Sequence, residues 1–116
     1  MFPSDLIHHQ RDFLLDVARL ITYAASRGYY CTAGELWRPQ EMQDIYFQQG
    51  KTKAHSSNHT RRLAIDLNIF NLSGRLLEAH EIKPLGDYWE KLHPLNRWGG
   101  NFTTIVDGPH FERNAP

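Results

Sequence analysis

Two short stretches of this chain carry side chains suited to holding and using a metal ion. In the first, His59 ends a polar loop and Asp66 follows in an apolar run; in the second, Asp107-Gly-Pro-His110-Phe-Glu112 sets an aspartate three residues ahead of a histidine. Catalytic zinc sites take three protein ligands from histidine and carboxylate and leave one position open to water or substrate. His59, Asp66 and His110 supply such a set if two strands bring them onto one sheet face. Phe111 is placed to anchor His110 in a core. Asp107 then stands beside the ion without having to bind it, where a general base for hydrolysis belongs. Glu112 is either a simple surface residue or the acceptor for the second ring N–H of a metal-bound histidine. Plainer readings stand beside these. His59 suits an ordinary loop, Asp66 has Arg61 and Arg62 within pairing distance along the chain, His110 fits a satisfied core position, and Asp107 suits the first place of a turn.

The elements that must position these residues are legible to different degrees. Leu63 to Phe70 is the clearest strand: Leu63, Ile65, Leu67 and Ile69 alternate with Ala64, Asp66 and Asn68, so Asp66 faces away from the core. Tyr29 to Trp37 reads as a second strand, weakened at Gly34. Arg38 precedes Pro39, which pushes it toward extended geometry and holds it at an element boundary. A helix is expected from Pro39 to Gly50 with Met42, Ile45 and Tyr46 buried, and the first 28 residues read as a longer helix ending at Gly28. Its expected stripe is Leu6, Phe13, Leu14, Val17, Leu20, Ile21, Ala24 and Ala25. Lys51 to Thr60, with His55, is polar and reads as an exposed loop. Asn71-Leu-Ser-Gly74 suits a hairpin turn with Leu76 and Leu77 starting the return strand. A third helix fits Pro84 to His93, and Thr103 to Val106 and His110 to Glu112 read as short extended pieces. A helix followed by strands, short helices and hairpins predicts an α+β domain with a small antiparallel sheet.

Length and composition bound the function. The 116 residues make one domain, 1–116, with 41% hydrophobic and 22% charged residues, which excludes disorder and fibrous repeats. Thirteen basic residues balance thirteen acidic ones, so nucleic acid and anionic membrane are not expected partners. The single cysteine, Cys31, has no internal disulfide partner and is expected as a buried apolar residue of its strand. No apolar run approaches a membrane span, and the opening residues lack a secretory signal, so synthesis in the cytoplasm without a coded export route is expected.

Ser57-x-His59-x-x-Arg62-x-Ala64-x-Asp66, followed by Asp107-x-x-His110-Phe-Glu112, resembles the paired signatures of the zinc D-Ala-D-Ala carboxypeptidase / L-alanyl-D-glutamate endopeptidase family (peptidase family M15), which includes VanX, VanY and phage endolysins. Glu35-x-x-Arg38-Pro39 with Gln43, Tyr46 and Gly50-Lys51-Thr52 resembles its upstream segment, and Trp98-Gly99-Gly100 its lead into the second signature. The resemblance spans residues 30 to 112 in the family's order. It implies a hedgehog/DD-peptidase-like fold, with helices on one side of the sheet and a Zn2+ site on the face. His59, Asp66 and His110 would be the zinc ligands and Asp107 the catalytic acid/base. Arg38 would steady the substrate carbonyl and its oxyanion, and Ser57 would bind substrate near the metal. One position departs from the pattern: Arg62 stands where the family carries glycine, which implies either a relaxed backbone or a positive group at the cleft mouth.

The substrate class comes from the same resemblance: peptide bonds in bacterial peptidoglycan stem peptides. A short chain of this kind is similar to phage or prophage endolysins cutting L-Ala–D-Glu, acting on the wall after release from the host cytoplasm, as a monomer. A D-alanyl-D-alanine carboxypeptidase or dipeptidase is the alternative, and a non-catalytic zinc module and a metal-dependent nuclease are the readings from other classes.

Overall fold

Strand β2 (Ala64–Phe70) is the hub on which the other elements are assembled. Its alternation holds: Leu63, Ile65, Leu67 and Ile69 are all buried and face the core, while Asp66 and Asn68 lie on the opposite face. The computed structural model describes residues 3–52, 54 and 56–116. Strands β1 (Tyr30–Ala33), β3 (Asn96–Trp98) and β4 (His110–Arg113) complete an antiparallel sheet in the order β1-β2-β4-β3. Register sets the site: Asp66 is paired directly with His110, and Ala64 with Glu112. Arg97 is opposite Glu112 on the next strand. With alternate side chains on alternate faces, Asp66, His110, Glu112 and Arg97 share the face away from the core.

Helices α1 (Pro3–Ser26) and α3 (Lys83–Leu92) cover the other face. Phe13 of α1 meets Trp89 of α3 edge-on at 5.6 Å, and Trp89 meets Phe111 of β4 at 6.0 Å. The buried stripe of α1 is narrower than its sequence suggests. Phe13, Val17, Leu20 and Ala24 are buried, whereas Leu14 is 57% exposed and Ile21 and Ala25 are exposed as well. One row of side chains suffices to seat the helix on so small a sheet. Gly28 ends α1 as expected: at φ 84° it lets Tyr29 N donate to Ala24 O (3.0 Å) and Gly28 N to Ala25 O (3.2 Å), which satisfies the last carbonyls.

Other expectations are corrected. Regular pairing in β1 stops at Ala33 rather than reaching Trp37; beyond it the chain bends along β2 toward Pro39. Helix α2 (Gln40–Gln48) buries Gln43, while Met42 and Ile45 are exposed and Tyr46 is half-buried. This helix faces polar groups of the site instead of the apolar core, so its inward residue is an amide. Thr103 to Val106 forms no strand, and Ile105 and Val106 are exposed. The Asn71–Gly74 turn forms, but the return strand is reduced to a single bridge between Phe70 and Leu76. Cys31 is half-buried, and burial pushes its thiol pKa up. Lys53 and His55, within the loop read as exposed, lie outside the described residues. Among the described residues, no helix is long and apolar enough to cross a membrane.

A second polar cluster is built into the apolar side. Arg113, 1% exposed, pairs through Nη2 with Asp16 Oδ2 and donates through Nε to Asn96 Oδ1 at 3.0 Å. Asn96 Nδ2 donates to Asp16 Oδ2 and Trp89 O, both at 3.1 Å, and Arg19 Nη1 reaches Asp16 Oδ1 at 2.8 Å. This network ties α1 to β3, β4 and α3.

Candidate metal centre

The short 3-10 turn Asn58–Arg61 delivers His59, and its cap fixes the backbone. Ser57 Oγ accepts from His59 N at 3.1 Å, and His59 O accepts from Arg38 N at 3.2 Å. Strand pairing delivers the other two groups. The result brings His59 Nε2 to 3.4 Å and His110 Nδ1 to 3.3 Å from Asp66 Oδ1. All three inward atoms lie within 4.8 Å of one another. Asp66 pairs with neither Arg61 nor Arg62: Arg61 is turned to Ala115 O, Pro116 O and Asn58 Oδ1, and Arg62 to the ring of Trp37.

The hydrogen bonds on the outer side of each ring decide what the inner side offers. His59 Nδ1 meets Leu36 O at 3.2 Å. A carbonyl oxygen only accepts, so Nδ1 carries the proton and the neutral ring aims the Nε2 lone pair at Asp66. His110 Nε2 meets Glu112 Oε1 at 2.7 Å, and a carboxylate likewise only accepts, so His110 Nδ1 is the inward lone pair. Asp66 Oδ1 is buried and has no hydrogen-bond partner. With both rings neutral, three acceptors therefore converge on one point with no donor among them, an arrangement that fits a cation. Two imidazole nitrogens and one carboxylate oxygen are also the donor set of a zinc site with an open position. Without an ion, protons take that part. Burial pulls the His110 pKa down, but its contacts with Asp66 and Glu112 override it and push it up to about 9. Burial pushes Asp66 up, and the two histidines outweigh it and hold the carboxyl well below the usual range.

Glu112 also joins the two halves of the site. Its Oε2 accepts from Arg97 Nε (2.9 Å) and Nη2 (2.6 Å), and from Asn58 Nδ2 at 3.0 Å, beside His59. Asp107 occupies the turn before β4, with its backbone N donating to Gly99 O at 2.9 Å and its carbonyl accepting from His110 N at 3.1 Å. A Cβ on Gly99 would run into Asp107 O, so only glycine lets this turn close against β4. Desolvation raises the Asp107 pKa, as does Asp66, while His110 and His59 pull it down, which places its carboxylate in electrostatic reach of all three converging groups. A second trio, Glu78, His80 and Glu81, has similar spacing but is largely exposed, and Glu81 is already paired with Arg75.

The sequence profile of the D-alanyl-D-alanine carboxypeptidase family of M15 peptidases matches residues 50–113, more than half of the chain. The chain belongs to this family. Its fold agrees with a solved relative: the crystal structure of the Serratia marcescens L-Ala D-Glu endopeptidase ChiX superposes with a TM-score of 0.68, at 21% identity, covering 97% of this chain and 88% of that one. No curated protein sequence matches the chain. Membership of a peptidase family sets the nuclease alternative aside.

In this M15 peptidase, Arg38 is an anchored group rather than a free one. Its Nε and Nη2 donate to Glu35 Oε1, its Nη1 donates to Gln43 Oε1 at 2.6 Å, and it lies over the ring of Tyr46. Three of five N–H groups are spent, which leaves two for another acceptor. Arg38 and Ser57 both line a polar cleft of about 430 Å³ that also meets Glu112 and Arg97. A larger cleft, about 600 Å³, also meets Arg97 and runs around Phe102 and Ile105; the converging triad itself lines neither cleft, but Ser57, Asn58 and Glu112, which touch its two histidines or flank them, line the smaller one. Trp98 lines the larger cleft although it is almost wholly buried; it is wedged between Gly86 and Gly100, where any Cβ would strike its ring. Glu35 and Gln43 fall in the upstream segment that resembles the family, but their roles, like those of Leu36 O, Asn58 and Arg97, are not legible from residue type; the burial of Gln43 on an otherwise exposed helix needs the fold to be seen.

Arg62 settles the departure from the family's glycine. It adopts a left-handed backbone (φ 57°, ψ 36°) and is the one non-glycine residue with positive φ among the described residues. For a residue with a Cβ this costs about 1–2 kcal/mol.

Proposed function

We propose that this chain is a zinc peptidase that hydrolyses the L-Ala–D-Glu bond of bacterial peptidoglycan stem peptides, as a phage or prophage endolysin. The observation that carries the reading is the convergence of His59 Nε2, Asp66 Oδ1 and His110 Nδ1 with Asp66 Oδ1 buried and unpartnered. A zinc ion held by these three atoms would polarise the scissile carbonyl and acidify water. Asp107 is the group to accept the proton from water and return it to the leaving amine. Its raised pKa brings it closer to neutrality, where a base that must also act as an acid works best. Arg38, held by Glu35 and Gln43, directs its two spare N–H groups to the oxygen that gains charge. Ser57 spends its oxygen on the His59 cap and keeps its hydroxyl hydrogen for substrate. Glu112 and Leu36 O hold the two imidazoles in the required tautomers. No covalent intermediate is required.

Likeness in fold to an L-Ala D-Glu endopeptidase along nearly the whole chain supports the endopeptidase reading. The family's description favours a second one, removal of terminal D-Ala. Mass spectrometry of purified peptidoglycan, incubated with the protein with and without a chelator, separates them. Chelator-sensitive fragments starting at D-Glu are expected; loss of terminal D-Ala would transfer the assignment to the carboxypeptidase. An unchanged wall from protein with zinc bound would overturn both.

A further inference from the structure

Segment 34–38 has no regular secondary structure, yet it is fastened to two of the three elements that carry the candidate ligands. Gly34 N donates to Asp66 O at 2.7 Å and Asp66 N to Glu35 O at 2.8 Å. A Cβ on Gly34 would sit 3.0 Å from Asp66 Cβ, so the two chains are in close contact here. Leu36 O meets His59 Nδ1 and Arg38 N donates to His59 O, both at 3.2 Å. Whatever places this segment therefore places Asp66 and His59 together. Trp37 stands between the two residues that touch His59, and its ring is covered by the Arg62 guanidinium at 4.5 Å. Arg62 follows His59 by three residues, and its N donates to His59 O at 3.4 Å. The contacts close a ring that runs from His59 through Leu36, Trp37 and Arg62 back to His59.

We propose that Arg62 is a positioning residue for the metal centre, acting through Trp37. Its side chain clamps segment 34–38 against the His59 turn so that the Leu36 carbonyl fixes the His59 ring. The inference rests on the metal reading above. Glycine would adopt this left-handed backbone freely, so an arginine here is carried at a conformational cost. What arginine adds is a planar cation that covers an indole, which glycine does not offer. The positive charge does not face Asp66; it is spent on Trp37, which is 47% exposed and has the area to receive it.

The test compares wild type with Arg62→Gly, Arg62→Lys, Trp37→Ala and the double variant Arg62→Gly/Trp37→Ala. Zinc affinity is read by competition with a chromophoric chelator, and the thermal midpoint is read on the zinc-free proteins. Loss of a direct partner of a metal-bound histidine costs on the order of 10–100-fold in affinity. The clamp is one contact further out, so Arg62→Gly is expected to weaken zinc binding about five- to tenfold while raising the zinc-free midpoint, because the backbone strain is gone. Trp37→Ala should weaken binding to a similar degree, the double variant no further than either single one, and Arg62→Lys should keep most of the affinity. Arg62→Gly that binds zinc as wild type does, or losses that add in the double variant, would overturn the clamp. A second readout needs no metal: the His59 Nδ1–H signal in nitrogen NMR should be protected in wild type and exchange faster in Arg62→Gly, and equal protection would also overturn it. A wild-type chain that holds no zinc would sink the functional reading, and the His59 signal would then decide the clamp alone.

Discussion

The sheet carries a buried polar cluster on each face, and strand β4 supplies both. On the core face, Arg113 meets Asp16 and Asn96; on the other, His110 meets Asp66 and Glu112. The first is closed: cation faces carboxylate, amide bridges both, and Arg19 covers the second oxygen of Asp16. Nη1 of Arg113 lacks a hydrogen-bond partner, but the charge is compensated. The second is open, because its three inward atoms are all acceptors when the rings are neutral. Proteins bury charge only where it is paired, hydrogen-bonded or bound to metal. The contrast separates a cluster that holds the fold from one whose converging acceptors could hold an ion.

Two substitutions of similar energetic size should separate the clusters by what they disturb. Arg113→Ala leaves Asp16 short of its main partner and should lower stability by about 3–5 kcal/mol in urea denaturation. Asp16→Leu/Arg113→Met should recover most of that loss, since apolar residues of similar volume replace the pair; no recovery would mean that the network does more than neutralise charge. Asp107→Asn should instead leave the denaturation curve and zinc binding in place and reduce hydrolysis on the order of 10²–10⁴-fold. If Asp107→Asn kept most of its activity, the proton would be moving through another group. Glu112→Gln belongs between the two, because it weakens the hold on the His110 ring without removing a ligand. An affinity loss on the order of 10–100-fold for zinc is expected, measured against a chelator of known strength.

The most gradual expected effect is on pH dependence, and it has a definite sign. His110 in the zinc-free protein has its pKa raised to about 9, above the unfolded value. Its stabilisation is thus fully present below about 6.5 and is lost as pH rises through about 9. Asp66 and Glu112 have lowered pKa values, so their stabilisation is present above about 4.5 and is lost on acidification. Zinc must displace the His110 proton, so its affinity should rise about tenfold per pH unit between 7 and 9 and then level off. The gap in thermal midpoint between zinc-loaded and zinc-free protein should widen over that range. A gap that stays constant would show that no proton is released on binding.

The two clusters also differ in how far the chain discloses them. The open one was legible because its members fall in short motifs: the alternation of β2 put Asp66 on the outer face, and the Asp107–His110 turn is local. The closed one was not. Asp16, Asn96 and Arg113 are far apart in the chain, and a charged residue on an amphipathic helix reads as solvated surface. Gln43 falls in the family-like upstream segment, but its burial is hidden for a related reason. Periodicity assigns apolar residues to the inside, and α2 packs on polar groups, so Met42 and Ile45 were placed inward in its stead. The narrow stripe of α1 and the absent strand at Thr103–Val106 have the same origin, since local pattern reports what is able to be buried rather than what the small sheet has room to cover.

Strand β4 runs between β2 and β3 in the middle of the sheet, although it comes last of the four in the chain. A nascent chain that has emerged only as far as β3 has no partner for the inner edge of β2, no Arg113 for Asp16 and no His110 beside Asp66. Synthesis halted ahead of residue 110 would thus leave an unfinished fold and an inert polypeptide, so that folding and the ability to cut become complete in the same step.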